Sequence, residues 1–314
     1  MKARKFEVLR VSVTSSCGFG CVYCAPGGGE NEIPGRQYKP TAIFLSPETF
    51  RIKLNTLRDQ LEIKEVHLTG GEPTNHKGLP DLIRVAVDQG VPEIALTSNG
   101  FFADGLIQTL KNSGLTRMNF SLDSLSPVGF SRISGKELSV GRLLRRIEEA
   151  ISVGLQVKLN STIVKGYNED QIVPLLEWAG SRRIPIRYLE LMKMGPLQAD
   201  HSDLFYSAEE IRTRIGEKFS FNSVETPSES TARYHQTFEG FIFGIIANHT
   251  EPFCEGCNRL RMDANGRIYG CLSDSTSFHL PNDKIGAAEA LESAMLTKKN
   301  HFTGSELSMK YIGG

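Results

Sequence analysis

Apolar, often β-branched runs recur through the first 195 residues, separated by stretches of helical period. FEVLRVSV (Phe6–Val13) reads as a strand, and VHL (Val66–Leu68), EIALT (Glu93–Thr97), RMNFSL (Arg117–Leu122), VKLNSTIV (Val157–Val164) and IRYLEL (Ile186–Leu191) read as five more. Helices are predicted between them over Pro47–Leu61, Leu79–Gln89, Gly105–Ser113, Val140–Val153 and Asp170–Gly180. Six strands alternating with helices predict parallel βαβ units and an α/β fold. A sheet of that kind presents its site at the carboxyl ends of its strands. The rhythm is lost from about Asp200. Ser207–Phe219 reads as a helix, followed by a Ser/Thr/Glu-rich stretch and short strand-like runs such as FIFGIIA. A boundary near residue 210 is expected, dividing 1–210 from 211–314. Gly28–Leu45, rich in Gly and Pro, reads as a long loop.

The cysteines change this picture most. All six fall into two triads: Cys17, Cys21 and Cys24 in C-x3-C-x2-C spacing, and Cys254, Cys257 and Cys271 in C-x2-C-x13-C spacing. Close groups of cysteines without a disulfide context read as metal or redox sites. Three thiolates on a tight loop can hold three irons of a cubane iron–sulfur cluster, leaving the fourth iron open to another ligand; most clusters have four cysteines. Zinc competes with this reading, but structural zinc uses four ligands in paired spacing. No further Cys or His lies within ten residues of the first triad. For the second triad, His279 is a distant candidate for a fourth zinc ligand. Between Cys257 and Cys271, Asp263–Gly266 forms a hairpin-like turn that would return Cys271 to its partners.

Polar residues at strand ends supply the remaining candidates. LTGGEP (Leu68–Pro73) follows the second strand, TSNG (Thr97–Gly100) the third and SLDSL (Ser121–Leu125) the fourth. Lys158 and Asn160 share one face of the fifth strand, and a lysine facing a strand interior needs an anionic partner. Arg259 and Arg261 share a face beside the second triad, where paired guanidiniums suit a polyanion. Arg10, on the first strand seven residues before Cys17, is placed to join them, and the sixth strand offers Arg187 and, at its end, Met192. A single arginine would otherwise read as a surface ion pair, Ser121 and Asp123 as turn residues, and Met192 as core filler.

Hydrophobic residues make up 39% of the chain, charged residues 23%, and the net charge is zero. That balance excludes a broad electrostatic footprint for nucleic acid. The longest apolar run, Phe241–Ala247, is too short to span a membrane, and MKARKFEVLR lacks a signal-peptide core. The expectation is a cytoplasmic protein that binds neither membrane nor nucleic acid. Monomer and homodimer both remain open.

The first triad, with Tyr23 before its last cysteine, resembles the radical S-adenosylmethionine (radical SAM) superfamily. Two triads in this order, with LRVSVT, LTGGEP, TSNG, NFSLDSL, VKLN, E-L-M-K-M-G, FCEGCNRLRM and a terminal Gly313–Gly314, resemble the GTP 3′,8-cyclases of molybdenum cofactor biosynthesis. The resemblance covers nearly the whole chain. It implies a partial (β/α)6 TIM-type barrel with a C-terminal α+β extension carrying a second cluster. It assigns Cys17, Cys21 and Cys24 to a 4Fe–4S cluster that binds SAM, and Cys254, Cys257 and Cys271 to an auxiliary 4Fe–4S cluster that meets the guanine base. Tyr23, Gly71, Ser121 and Met192 match SAM-contacting positions. Arg10, Thr97, Lys158, Arg187, Arg259 and Arg261 match GTP-contacting positions. His67 stands where the family usually has a GTP-contacting arginine, Ser15–Ser16 where it has Asp–Arg, and Ala25 where it has Met. The implied reaction splits SAM to a 5′-deoxyadenosyl radical, which takes the C3′ hydrogen of GTP before C3′ bonds to C8. The implied partners are GTP or a related nucleotide, an electron donor such as flavodoxin or ferredoxin, and a downstream cyclic pyranopterin monophosphate synthase. A radical SAM enzyme for another nucleotide or a peptide, and a zinc-stabilised binding scaffold, are the rival readings.

Overall fold

Eight parallel strands form the centre of a single sheet. In this computed structural model, residues 4–24, 42–198 and 201–312 are described. Ala25, residues 28–41 of the long loop and the Gly313–Gly314 pair lie outside them. The βα series runs β1 (Val8–Ser12), α1 (Pro47–Arg58), β2 (Glu65–Thr69), α2 (Leu79–Asp88), β3 (Glu93–Ser98), α3 (Leu106–Asn112), β4 (Arg117–Ser121), α4 (Pro127–Ser134), α5 (Val140–Ser152), β5 (Gln156–Ile163), α6 (Ile172–Ser181) and β6 (Ile186–Glu190). Two helices follow, α7 (His201–Leu204) and α8 (Ala208–Gly216). After them come β7 (Phe221–Val224), β8 (Arg233–Thr237), β9 (Ile242–Ile246), β10 (Arg259–Met262) and β11 (Ile268–Tyr269), then α9 (Lys284–Leu296) and α10 (Met309–Ile312). The strand order is β11-β10-β1-β2-β3-β4-β5-β6-β9-β8-β7.

The C-terminal strands therefore prolong the barrel sheet at both edges. β9 adds parallel to β6 and β10 adds parallel to β1. The hairpin partners β8 and β11 then run antiparallel. The βα rhythm fades after residue 200 because these strands are joined by turns and hairpins rather than by helices. Helix α4 is an addition to the sequence-based expectation. Ser126 caps it by accepting from Gly129 N–H, and Pro127 begins it.

Alternation along the strands sorts chemistry to two sides. Leu9 and Val11 of β1, Val66 and Leu68 of β2, Met118 and Phe120 of β4, and Leu159 and Ile163 of β5 are fully buried in the main apolar core, together with Leu54, Leu57, Leu82 and Ile147 of the helices. The intervening positions carry Arg10, His67, Asn119, Lys158 and Asn160. An apolar outer face and a polar inner one argue against a barrel filled by packed aliphatic layers, because buried polar groups need partners. The barrel interior is a place for a polar ligand.

Candidate active site

Two cavities open at the carboxyl ends of the strands. The first, of about 1130 Å³ counting its open mouth, is lined by Cys17, Cys21 and Cys24 on the loop after β1. That loop rests on the Gly70–Gly71 turn after β2. Gly71 N–H donates to Thr14 O and Glu72 N–H to Ser16 O, both at 2.7 Å. A Cβ on Gly71 would fall 2.3 Å from Ser16 O, so only glycine permits this approach. The Glu72 carboxylate ties the next strand end in by accepting from Ser98 Oγ at 2.8 Å and Asn99 N–H at 2.8 Å. Tyr23 is pinned in a similar way: its hydroxyl donates to Asp123 Oδ2 at 2.8 Å, while Asp123 Oδ1 accepts from Thr162 N–H at 2.8 Å. Asp123 thus braces β4 and β5 against the cysteine loop. Burial lifts its carboxyl to about 6 against those two donors.

Burial also raises all three thiols of this triad, Cys17 to about 11; the charge of Glu72 and then of Cys24 adds to the rise at Cys17, and that of Asp123 and then of Cys24 and Cys17 adds to it at Cys21. Three bare thiolates would repel one another here, and a cationic iron cluster bridging them removes that penalty. The donor set fits such a group. Tyr23, Gly71, Ser121 and Met192 all line the same cavity.

The second cavity, of about 920 Å³ counting its mouth, is lined by Cys254, Cys257 and Cys271 together with Arg10, Arg187, Arg259 and Arg261. The hairpin of β10 and β11 returns Cys271 to its partners. Asp263 Oδ1 closes the turn by accepting from Asn265 N–H and Arg267 N–H, both at 2.9 Å. Arg259 and Arg261 project from one face of β10 as the alternation requires. Burial and then the other guanidiniums depress Arg10 well below the ordinary arginine value; burial and then Arg259 bring Arg261 to about 10. No Asp or Glu occurs among the described residues that line this cavity. Asn160 Oδ1, Arg187 Nε, Asn248 Nδ2 and Arg259 Nε are buried there without a partner. A cavity with crowded guanidiniums and unsatisfied amides suits a ligand that is both polyanionic and rich in hydrogen-bonding groups.

His67 and Thr97 also line it. His67 Nε2 lies 2.7 Å from Thr97 Oγ1 and 3.2 Å from Asn119 Nδ2. Nδ1 lies 3.2 Å from Arg10 Nη1 and 3.3 Å from Glu65 Oε1. Asn119 Nδ2 can only donate to Nε2 and Arg10 Nη1 can only donate to Nδ1, so two donors compete for the one acceptor nitrogen of a neutral ring. Burial and then Arg10 hold the imidazole at about 3. It is neutral at neutral pH, so its contact with Glu65 is not an ion pair.

Thr97, Asn160, Leu189 and Met192 line both cavities and form the wall between them. Of the sequence-based candidates, Lys158 lines neither. It sits half-buried on the inward face of β5, two residues before Asn160, with Arg117 and Arg187 close enough to lower it to about 8 after burial. Among the described residues, no three His, Cys, Asp or Glu side chains are arranged to share one metal ion, and His279 is not part of the second cavity's lining. Sequence reasoning passed over Asn248 and Phe253 on the second cavity and Lys310 on the first. Asn248 follows β9 without a motif of its own, and Phe253 opens the FCEGCNRLRM motif but was given no role there. Lys310 reaches the site only because the C-terminal segment folds back, with Ser12 Oγ donating to Lys310 O at 2.9 Å and Arg261 Nη1 to Ile312 O at 3.4 Å.

A partial parallel barrel with three cysteines on the loop after its first strand defines the radical SAM class, and the Radical SAM superfamily profile matches residues 11–179. A second profile, Molybdenum Cofactor Synthesis C, matches residues 184–301. The chain is 34% identical over 282 residues to a GTP 3′,8-cyclase of Aquifex aeolicus, covering 89% of this chain and 86% of that one. It is 35% identical over 289 residues to one of Helicobacter pylori, covering 92% and 85%. The chain belongs to the GTP 3′,8-cyclase family of radical SAM enzymes. Among solved structures, Streptococcus suis SuiB bound to precursor peptide SuiA superposes with a TM-score of 0.65 at 13% identity. The match spans 91% of this chain and 65% of that one, and shows a shared fold. Family membership implies a 4Fe–4S cluster and SAM. No described helix is long and apolar enough to cross a membrane.

Proposed function

We propose that this chain converts GTP to 3′,8-cyclo-7,8-dihydro-GTP in molybdenum cofactor biosynthesis. The observation that carries the reading is the pair of cysteine-lined cavities meeting at one thin wall, with guanidiniums gathered in only one of them. Cys17, Cys21 and Cys24 would hold the SAM-binding cluster, and Cys254, Cys257 and Cys271 a second 4Fe–4S cluster. When bound and reduced, the first cluster with SAM supplies one-electron chemistry able to take a hydrogen atom from a ribose carbon. The protein's part is to bind, orient and exclude water. Tyr23, held by Asp123, shapes the SAM cavity with Gly71, Ser121 and Met192. Arg10, Arg187, Arg259 and Arg261 clamp the triphosphate, with Lys158 adding charge from below. Neutral His67 takes no charge to the nucleotide; it orients Thr97 instead. Residues 1–210 would carry the SAM-binding cluster and part of the clamp, and residues 211–314 the second triad with Arg259 and Arg261. An electron donor such as flavodoxin or ferredoxin, a downstream cyclic pyranopterin monophosphate synthase and a cytoplasmic location complete the proposal.

Anaerobically reconstituted protein given GTP, SAM and dithionite is expected to form GTP-dependent 5′-deoxyadenosine. It should also release a nucleotide of unchanged mass and altered mobility, because the ring closure rearranges GTP without net loss of atoms. Absence of GTP-dependent 5′-deoxyadenosine overturns the assignment. Arg259→Ala is expected to weaken GTP binding about 10- to 100-fold, the range for one hydrogen bond to a charged group. Reductive SAM cleavage should persist in that variant.

A further inference from the structure

Lys298, two residues beyond α9, is a half-buried cation whose surroundings fix it on three sides. Its ammonium donates to Cys257 Sγ at 3.1 Å and to Arg259 O at 2.9 Å, and lies 5.1 Å above the Phe6 ring. Among the described residues no carboxylate is within ion-pair distance of it. A largely desolvated ammonium needs an anion, and the sulfur it touches is the one available. Cys257 also receives Arg259 Nη2 at 3.3 Å, whereas Cys254 and Cys271 show no such cationic hydrogen bond among the contacts of the described residues. The second triad is therefore asymmetric, with one thiolate carrying two cationic hydrogen bonds. The two cations are not equivalent. Arg259 lines the cavity and can turn to a polyanion; Lys298 does not line it and is anchored to the backbone of β10.

We propose that Lys298 is a positioning residue for the second cluster: it holds Cys257 as the ligand thiolate, makes that cluster easier to reduce, and keeps the sulfur neutralised while Arg259 engages the nucleotide. The inference rests on the reading that Cys254, Cys257 and Cys271 carry a cluster. Cationic N–H···S bonds stabilise the reduced, more negative state, so removing one lowers the reduction potential.

The test is an EPR-monitored redox titration of the full-length, reconstituted protein as parent, Lys298→Gln and Lys298→Arg, each with its iron count; SAM addition marks the first cluster's signal. The expected result is a more negative midpoint for the second cluster in Lys298→Gln, recovery toward the parent in Lys298→Arg, and no movement of the first cluster's midpoint. Loss of the second cluster from the Gln variant with retention in the Arg variant supports the same role. Unchanged midpoints at about eight irons per chain, the content of two cubanes, overturn the inference and leave the two-cluster reading intact. Equal loss of the cluster from both variants also overturns it, because a merely structural lysine would behave so. A parent with about four irons per chain fails the two-cluster reading itself, and the inference with it.

Discussion

Lys158 shows how a single inward residue can report on the ligand. Its amine is held at about 8, against an ordinary 10.5, by burial first and then by Arg117 and Arg187, with Glu65 opposing. Between those two values the unfolded chain holds a proton that the folded chain has released, so the ligand-free fold gains stability as pH rises through the window. Nucleotide binding works the other way, because a polyanion favours the charged amine and binding above pH 8 must take up a proton. GTP affinity is therefore expected to be flat from pH 6.5 to 7.5 and to fall above pH 8, by at most about tenfold per pH unit. Lys158→Met should bind more weakly at pH 7 and lose that slope. Calorimetric Kd values from pH 6.5 to 9.5 decide the matter; parallel profiles for the two proteins would remove Lys158 from the clamp. His67 offers no such reporter, since it stays neutral throughout this range.

The Gly70–Gly71 turn is the element that sets the height of the cysteine loop. Because a Cβ at residue 71 meets the Ser16 carbonyl, a backbone atom that cannot rotate away, Gly71→Ala must push the two loops apart. The expected cost is about 1–3 kcal/mol of stability, typical of an overpacked site. It should be accompanied by selective loss of iron from the first triad while the second keeps its own. Iron content and thermal midpoint of the variant test this, and an alanine variant with full iron at both sites would show that the brace is dispensable. Such loops were legible in the sequence because glycine pairs and cysteine spacings mark close backbone approach. The six βα units were legible because strand and helix periods differ. The edges of the sheet were not. β9 and β10 join strands far away in the chain, and nothing local in FIFGIIA or RLRM names β6 or β1 as a partner. Asn248 was hidden for the same reason: only the pairing of β9 beside β6 carries the following residues to the cavity, where its amide nitrogen is buried without a partner. Arg259 and Arg261 could be read in advance because alternation alone puts them on one face beside a cysteine.

At the scale of the whole molecule, the two cavities draw on opposite ends of the chain and meet where β3, β5 and β6 end. The first triad follows β1 and the second frames β10, and those two strands are neighbours, with Arg10 paired to Arg261. The sheet thus brings two cysteine groups, about 230 residues apart in sequence, to one mouth. What separates them is the wall of Thr97, Asn160, Leu189 and Met192. Of these, Met192 is the long, flexible apolar side chain, able to fill the gap between the two cavities without competing for hydrogen bonds. Truncating it leaves each cavity's polar contacts in place but lets water and ligand positions shift at the junction. Met192→Ala is accordingly expected to bind GTP within about threefold of the parent, since dispersion contacts with one side chain contribute only modestly. It should still cleave SAM, but with the two reactions uncoupled: more 5′-deoxyadenosine should form per GTP consumed, because a misplaced ribose loses the benefit of held proximity. The ratio of 5′-deoxyadenosine to cyclised nucleotide under single-turnover conditions measures this directly. A ratio near one in both proteins, with only the overall rate reduced, would mean that Met192 packs the wall without aligning what meets across it.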